Sequence, residues 1–233
     1  MKRRIAATEL AVEPIVTSFS LKDHIYASLK EAITRVDIYA EDAELRLDER
    51  RLSEQLNISR TPVREALARL EQEGLVQIVP RRGVYIMRRT KTEILEMITV
   101  WAALESMAAR LITINATDAE IASLRGLFAT FDGGKVRARI DEYSGRNIEF
   151  HQAILDLSRC ASLRELADNL FIHMRSIRAR TIGETDRVDK SIIDHMHIIE
   201  ALEARDTDLA ERLVREHTLN LARHVEKYVD YLD

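Results

Sequence analysis

The sequence predicts a mainly helical protein, with a winged helix-turn-helix carrying a small β-hairpin wing at the amino end and a six-helix bundle at the carboxyl end. Two short helical patterns precede two β-branched runs in the first 90 residues, and beyond Thr92 apolar residues recur almost continuously at helical spacing. Only 7 Gly and 3 Pro occur among the 233 residues, which argues against a second strand-rich unit. The expected units are a flexible arm over residues 1–19, a winged helix-turn-helix over 20–88 and a helical domain over 89–233.

The first helix is expected over residues 21–36. Its apolar residues recur at spacing four and are Leu21, Ile25, Leu29 and Ile33. This spacing places them on one face of a helix, and we expect that face to pack beneath the helices that follow.

A second, short helix is expected from Asp48 to Leu56. Asp48 suits the N-cap because its side-chain oxygen can accept a hydrogen bond from an otherwise unpaired backbone N–H. Asn57 and Ile58 then form a tight connection to the next helix. The pattern is therefore helix, turn, helix.

The third helix is the most informative segment of the chain. Ser59 is a suitable N-cap, Pro62 fits the first turn and Gly74 suits the end. The apolar stripe consists of Val63, Ala66, Leu67 and Leu70. Arg60 and Arg64 lie one turn apart on another face. One side of this helix therefore packs, and the other presents two guanidinium groups.

A β-hairpin is expected after this helix. Residues 75–79 and 84–86 are rich in apolar and β-branched side chains, and Pro80-Arg81-Arg82-Gly83 separates them. The hairpin therefore has a basic tip, and a wing of this kind can lie along a DNA groove.

Three segments of this region resemble, in order and spacing, the amino-terminal signature of the GntR family of bacterial transcription regulators. They are Arg50-Arg51-Leu52, the run Ser59–Leu67 and Glu73-Gly74-Leu75. The resemblance implies a DNA-binding domain whose contacts come from the second and third helices and the wing. The implied contact residues are Arg50, Ser59, Arg60, Thr61, Arg64, Arg81, Arg82 and Gly83.

The chemistry of these residue types agrees with that implication. Arginine can donate two hydrogen bonds to guanine in the major groove, whereas hydroxyl groups and helix N-terminal amides suit phosphates. Net charge is a weaker indication, because residues 1–90 contain 16 Lys and Arg against 14 Asp and Glu, and the remainder 19 against 25. The prediction of DNA binding therefore depends on the arrangement of the motif.

The composition predicts a cytoplasmic protein. Its single cysteine, Cys160, cannot form a disulfide within the chain and is expected to be a packing residue. No apolar run approaches the roughly 20 residues needed to cross a bilayer. Residues 1–5 have no apolar signal segment behind them.

Six helices are expected in the carboxyl part. A long helix over residues 92–115 precedes the capping box Thr117–Glu120, which begins a helix that Asp132-Gly133-Gly134 ends. The remaining helices are expected over 136–157, 162–182, 187–204 and 206–231.

Four polar side chains of these helices are candidate metal ligands. Asn147 and His151 are four residues apart and project from one face of a helix, while His195 and His217 lie on the last two helices. Neutral imidazole is a common ligand of zinc and also suits nickel, iron and copper. Spacing does not show convergence, and by itself it favours hydrogen-bonded or surface roles for these histidines.

The segments 147–151, 194–201 and 215–217 resemble the ligand-bearing segments of the FCD domain, the effector-binding module of one GntR branch, the FadR branch. The six-helix length is similar to the VanR-type subgroup. The resemblance implies a divalent metal ion, with zinc favoured and nickel or another transition metal as alternatives. The implied ligands are Asn147, His151, His195 and His217.

Asn147 stands where the family often has Asp, so a neutral carbonyl replaces an anionic ligand. The charge of the ion then stays uncompensated in a partly dry cavity, where its attraction to a carboxylate is stronger than in water. We therefore expect a small anionic, carboxylate-bearing effector to complete the coordination of the metal.

Three further residues are weaker candidates for effector contacts. Trp101 stands where many FCD domains have an arginine, one turn before Glu105, and is either ordinary core or an aromatic wall that selects a ring-bearing effector. Tyr143 and Arg175 can supply polar contacts to such a ligand. Most tyrosines and arginines of this kind, however, lie at packing interfaces or in solvent and bind no ligand.

The sequence therefore predicts a regulator, favouring repression, that binds a palindromic operator as a homodimer, because one recognition helix reads only a few base pairs. Effector binding is expected to alter the spacing of the two winged helices. One alternative is that the metal itself is the signal. Another is a metal-dependent hydrolase with a DNA-binding module, but no paired Glu or Asp at general-base spacing accompanies the histidines, so no enzyme activity is expected.

Overall fold

The amino-terminal part of the chain consists of three helices and a three-stranded antiparallel sheet. A computed structural model describes residues 21–131, 139–184 and 186–232. The elements of this part are α1 (Leu21–Thr34), β1 (Arg46–Leu47), α2 (Glu49–Leu56), α3 (Arg60–Gln72), β2 (Val76–Val79) and β3 (Gly83–Ile86). The predicted fold class is confirmed, while the predicted arm over residues 1–19 lies outside the described residues.

The ends of α2 and α3 follow the predicted capping chemistry with one difference. Asp48 accepts a hydrogen bond from the backbone N–H of Arg51 at 2.9 Å, and Asn57 ends α2 in the left-handed region with φ of +52°. Ser59 occupies the N-cap of α3, but its hydroxyl makes no capping hydrogen bond. The Ser59 hydroxyl is therefore available for a hydrogen bond to a group outside the helix.

The wing contains one more strand than the sequence predicts. The strand order is β1-β3-β2, with Arg46 opposite Tyr85 on one side of β3 and Gln77 opposite Tyr85 on the other. At the tip, the N–H of Arg82 donates to the carbonyl of Val79 at 3.0 Å. Gly83 has φ of +121°, a conformation that side chains with a Cβ rarely adopt.

The described residues of the carboxyl part form seven helices. They are α4 (Lys91–Asn115), α5 (Asp118–Gly126), α6 (Ile140–Leu157), α7 (Ala161–Asp168), α8 (Phe171–Thr181), α9 (Arg187–Glu203) and α10 (Thr207–Tyr228). The helix predicted over 162–182 is divided into α7 and α8, so the predicted count of six is wrong by one. The N–H of Leu170 donates to the carbonyl of Ala167, three residues earlier, at 2.9 Å. An α-helix would instead bond to the carbonyl four residues earlier, so the α-helical hydrogen bonding is interrupted here.

Helix α4 is the central helix of the bundle and packs along α10 and α6. By length and composition it is apolar enough to cross a membrane, with a mean hydropathy of 1.4 over its most apolar 18-residue window. The apolar stretch of α4 is therefore longer than the composition of the sequence led us to expect. Half of that window is buried inside the protein, and Glu105 and Arg110 interrupt the apolar sequence. Burial in the core therefore accounts for about half of this apolar stretch.

Helix α8 contacts the loop that follows α1 and so joins the two parts of the chain. The Tyr39 hydroxyl and His173 Nδ1 are 2.8 Å apart in a buried contact, and Arg180 Nη1 lies 2.9 Å from Asp37 Oδ2. Arg88 donates to the backbone carbonyls of the same loop, including that of Ile38 at 2.6 Å. The amino-terminal part is therefore held directly against one helix of the bundle.

The buried His173 should make folding stability depend on pH. Burial, assisted by the nearby Arg89 charge, lowers the pKa of His173 from 6.5 to about 4. The unfolded chain therefore binds an extra proton between these values, and the stability present above about pH 6.5 is lost as the pH falls through that window. We expect the wild type to lose about 2 kcal/mol more unfolding free energy than His173→Gln between about pH 7.5 and about pH 5, measured by urea denaturation. Equal losses in the two proteins would contradict this assignment.

Candidate functional site

Three histidines from three helices converge in the interior of the bundle. His151 on α6, His195 on α9 and His217 on α10 place their ligand nitrogens within 4.8 Å of one another. The Nε2 atoms of His195 and His217 are 3.2 Å apart. Separate helices thus bring together residues that lie far apart in the sequence.

The Nδ1 atom of each histidine has a partner on the side of the ring away from the other two histidines, so that each Nε2 is turned toward the cluster. His151 Nδ1 lies 2.5 Å from Glu105 Oε1, and His217 Nδ1 lies 3.0 Å from Asp194 Oδ2. His195 Nδ1 lies 3.3 Å from the Tyr143 hydroxyl. Carboxylates in this position fix the orientation of a ligating imidazole and raise its basicity. The three rings are therefore arranged as metal ligands normally are.

Burial keeps the three imidazoles neutral. It lowers the pKa of His151 and His195 well below 6.5. Burial also lowers the pKa of His217, although the hydrogen bond to Asp194 acts in the opposite direction. Aromatic rings surround His195, with the Phe150 ring centroid 4.3 Å and the Phe128 ring centroid 4.8 Å from it. Neutral imidazoles in an apolar setting retain the lone pairs that a metal ion requires.

Asn147 supplies a further observation that a cation fits here. It lies one turn before His151 on α6 and is 2% exposed, and its buried Oδ1 atom has no hydrogen-bond partner among the described residues. An unsatisfied buried acceptor is costly and requires an explanation. A divalent cation bound beside the three imidazoles would satisfy this oxygen, so the donor set present in the chain fits a metal ion.

A buried ion pair, which the sequence analysis missed, adjoins the histidines. Arg178 Nη1 lies 2.6 Å from His151 Nε2, and Arg178 Nη2 lies 3.3 Å from Glu105 Oε2. The Thr218 hydroxyl also donates to Glu105 at 2.7 Å. Burial raises the pKa of Glu105 and lowers that of Arg178, and their mutual attraction opposes both shifts. The guanidinium contacts the same nitrogen of His151 that a metal ion would use.

Two of the weaker candidates border the site and the third does not. Tyr143 is at the site, where its hydroxyl donates to Ser191 Oγ at 2.9 Å and lies near His195. Trp101 is buried beside Glu105, whose pKa its side chain helps to lower, and its ring centroid is 6.4 Å from that of Phe171. Arg175 instead lines a separate cavity of about 620 Å³ near α1. The arginine that the fold brings to the histidines is therefore Arg178 and not Arg175.

A cavity of about 720 Å³ lies beside the histidines, between α9 and α10. His217 and Asp194 are part of its lining, together with residues from both helices. Its size is within the range of small-molecule binding sites. A small molecule can therefore approach the histidine cluster from this side.

The candidate DNA-contacting residues all lie at the surface of the amino-terminal part. Arg50, Ser59, Arg60, Thr61 and Arg64 are exposed on α2 and α3. At the wing tip Arg81 and Arg82 are exposed and Gly83 is half-buried.

Two of the arginines form ion pairs that the sequence analysis did not anticipate. Arg64 Nε lies 2.6 Å from Glu49 Oε2, and Arg50 Nε lies 2.8 Å from Glu54 Oε1. Ion pairs between exposed groups contribute only about 0–1 kcal/mol each. DNA phosphates or bases can therefore displace these glutamates at small cost.

Family models match both parts of the chain. Residues 21–86 match the model of the bacterial regulatory proteins of the gntR family, and residues 96–220 match that of the FCD domain.

Curated relatives resemble this chain in sequence over most of their own length. The HTH-type transcriptional repressor RspR of Escherichia coli (strain K12) is 25% identical over 181 residues, which cover 78% of this chain and 79% of the relative. The Nta operon transcriptional regulator of Aminobacter aminovorans is 30% identical over 192 residues, which cover 80% of this chain and 86% of the relative. The similarity thus spans both the DNA-binding and the FCD regions.

Among solved structures, E. coli McbR/YncC has a similar fold. Its TM-score is 0.73 at 24% sequence identity, over 91% of this chain and 100% of that one.

Proposed function

We propose that this chain, which belongs to the GntR family of bacterial regulatory proteins and carries an FCD domain, is a repressor controlled by a small carboxylate-bearing effector bound over a divalent metal ion. It is a DNA-binding transcription regulator and not an enzyme. The convergence of three buried, neutral histidines beside an unsatisfied asparagine oxygen is the observation that carries the proposal of a metal-dependent effector site. Repression is supported by the similarity to RspR, a transcriptional repressor.

The proposed domains are an arm over residues 1–19, a DNA-binding domain over 20–88 and an effector-binding and dimerisation domain over 89–233. In the DNA-binding domain, Arg60 and Arg64 would read base edges while Ser59 and Thr61 contact phosphates. The uncommitted hydroxyl of Ser59 suits a phosphate contact. As a bacterial transcription regulator, the protein is proposed to act in the cytoplasm.

A homodimer on a palindromic operator follows from the small number of base pairs that one α3 helix can read. Helix α4 carries exposed apolar side chains that a second copy would cover. Val100 is 51% exposed, Met107 46% and Ile114 67%. Large exposed apolar groups grouped on one helix are typical of an interaction surface.

Asn147, His151, His195 and His217 would hold the metal, with zinc favoured and nickel or another transition metal as alternatives. When bound, the ion supplies an electrophilic centre that attracts a carboxylate in the apolar interior. Glu105 and Asp194 orient the His151 and His217 rings through hydrogen bonds, and Phe128 and Phe150 exclude water around His195. The four ligands are neutral, so an anionic effector is favoured over a neutral one.

Helix α8 offers a physical route from the site to the DNA-binding domain. Arg178 contacts His151 at the site, while His173 and Arg180 on the same helix contact Tyr39 and Asp37 of the loop that follows α1. Filling the site would require the Arg178 side chain to leave His151, and a shift of α8 is the step by which this release would reach the loop. The contacts with the loop would then bias the spacing of the two winged helices.

The close contact between Arg178 and His151 also favours a second candidate function, in which the metal itself is the signal. Metal binding alone would displace the guanidinium from His151 Nε2. Operator affinity that changes with metal concentration in the absence of any organic acid would support this alternative. Operator affinity that responds only when metal and acid are both present would exclude it.

Isothermal titration calorimetry tests the proposed effector site. Metal-loaded and metal-stripped protein are titrated with a panel of small carboxylic acids, with Asn147→Asp as a matched variant. We expect binding only to the metal-loaded protein, and at least about tenfold weaker binding to Asn147→Asp, because its added negative charge opposes the anion. Equal affinity of the acids for loaded and stripped protein would refute the proposal.

A further inference from the structure

The cavity between α9 and α10 contains more positive charge than one carboxylate needs. Besides His217, its lining includes Arg187 and Lys190 on α9 and Arg223 and Lys227 on α10. At about 720 Å³ the cavity is also larger than a single carboxylate group requires. An acid that contacts only a metal at the histidines would therefore leave part of the cavity empty and part of its positive charge without a partner.

The carboxylates in the lining neutralise only part of this charge. Asp186 Oδ2 lies 2.7 Å from Lys190 Nζ, and Asp194 Oδ2 lies 3.0 Å from His217 Nδ1. Both carboxylates thus already have partners within the lining itself. Arg187, Arg223 and Lys227 supply further positive charge to the same lining.

Arg223 and Lys227 contact neutral groups in the structure. Arg223 contacts the side-chain oxygen of Asn220, and Lys227 Nζ lies 4.9 Å from the ring centroid of Tyr228. Neither of these two contacts compensates a positive charge. Both residues are exposed at the cavity, where an incoming ligand can reach them.

Arg187 is the most constrained of these cations. Its buried Nε atom has no hydrogen-bond partner among the described residues. Burial, followed by repulsion from Arg178 and opposed by attraction from Glu184, lowers the pKa of Arg187 to about 10, so the guanidinium stays charged at neutral pH. A half-buried, charged side chain with an unsatisfied donor suits an anionic ligand, because guanidinium groups bind carboxylate and phosphate bidentately.

We propose that the effector carries two anionic groups, one for the metal at the histidines and a second, carboxylate or phosphate, for Arg187 and Arg223 across the cavity. This inference rests on the proposed function and adds the chemical class of the effector: a small dicarboxylic acid or a phosphorylated carboxylic acid. Lys227 lies close enough in the lining to strengthen the attraction for the second anion.

Paired acids test the inference by calorimetry on the metal-loaded, full-length protein. Succinate is compared with butyrate, glutarate with valerate, and 3-phosphoglycerate with glycerate, so that each pair differs chiefly in the second anion. We expect at least one dianion to bind about tenfold or more tightly than its partner. In the double variant Arg187→Gln, Arg223→Gln this preference should disappear while binding of the monoanions persists. Arg212→Gln, a substitution on α10 outside the cavity, is the matched control and should keep the preference.

Inorganic phosphate tests the second subsite separately from the metal. It should bind metal-stripped wild-type protein and the Arg212→Gln control, but not the double variant, with circular dichroism used to verify that all three proteins are folded. Monoanions and dianions that bind equally, or a preference that the double variant retains, would overturn the second subsite and leave the metal-centred effector site standing. If no acid of either kind shows metal-dependent binding, both proposals fail.

Discussion

Replacing His195 by Gln should lower the affinity for zinc by more than about 100-fold, because losing a direct ligand exceeds the 10–100-fold effect typical of outer partners. His195 is fully buried at the centre of the cluster, 3.2 Å from His217 Nε2, so its imidazole is not easily replaced by a group from the surface. The measurement is a competition titration against a chromogenic zinc chelator. Glu105→Gln keeps all the ligands and alters the partner of His151 Nδ1, together with the contacts of Arg178 and Thr218, so it should have a smaller effect, about 10–100-fold.

His197→Gln is the matched control for this experiment. It makes the same substitution on the same helix, two residues away, and His197 lines a different cavity. It should leave zinc affinity unchanged. If His195→Gln and wild-type protein bind zinc equally while both are folded, the histidine cluster is not the metal site.

The second large effect is a loss of operator affinity when arginines on the exposed face of α3 are replaced. Arg60→Ala and Arg64→Ala should each weaken operator binding by about 1–3 kcal/mol and relax the preference for particular bases. Both side chains are exposed on α3, next to its amino-terminal end. Fluorescence anisotropy with operator and single-base-substituted fragments, at one fixed salt concentration, measures both effects.

Two further variants of the same surface serve as controls. Arg69 lies on α3 as well, but it contacts Asp23 and the Tyr26 ring, so Arg69→Ala should retain base preference. Glu49→Gln removes the partner of Arg64 and should strengthen operator binding by up to about 1 kcal/mol. An unchanged operator footprint for Arg60→Ala and Arg64→Ala would contradict their proposed role.

Local sequence signals predicted most of the amino-terminal part. Asp48 caps α2 as predicted, Asn57 lies in the predicted tight connection between α2 and α3, and the apolar stripe of α3 is buried as expected. Strand β1 was not predicted because two residues carry no periodic pattern. It forms only because Arg46 and Leu47 pair with the distant strand β3.

The candidate metal site was predicted only in part. The four-residue spacing of Asn147 and His151 is a local signal, whereas the contacts of Arg178 with Glu105 and His151 join residues far apart in the sequence. A charge within an otherwise apolar stripe was visible in α4, where Glu105 lies among the buried residues, but nothing local indicates its partner. The break between α7 and α8 was missed for a similar reason, since the apolar pattern continues across Leu170.

Operator affinity, measured with and without a carboxylate that calorimetry identifies, tests the central claim most directly. For metal-loaded protein, we expect the acid to weaken binding to a selected operator fragment by about tenfold or more, and the operator to weaken acid binding by the same factor. For metal-stripped protein, the acid should change nothing. Operator affinity that is the same with and without the acid in metal-loaded protein would contradict the account.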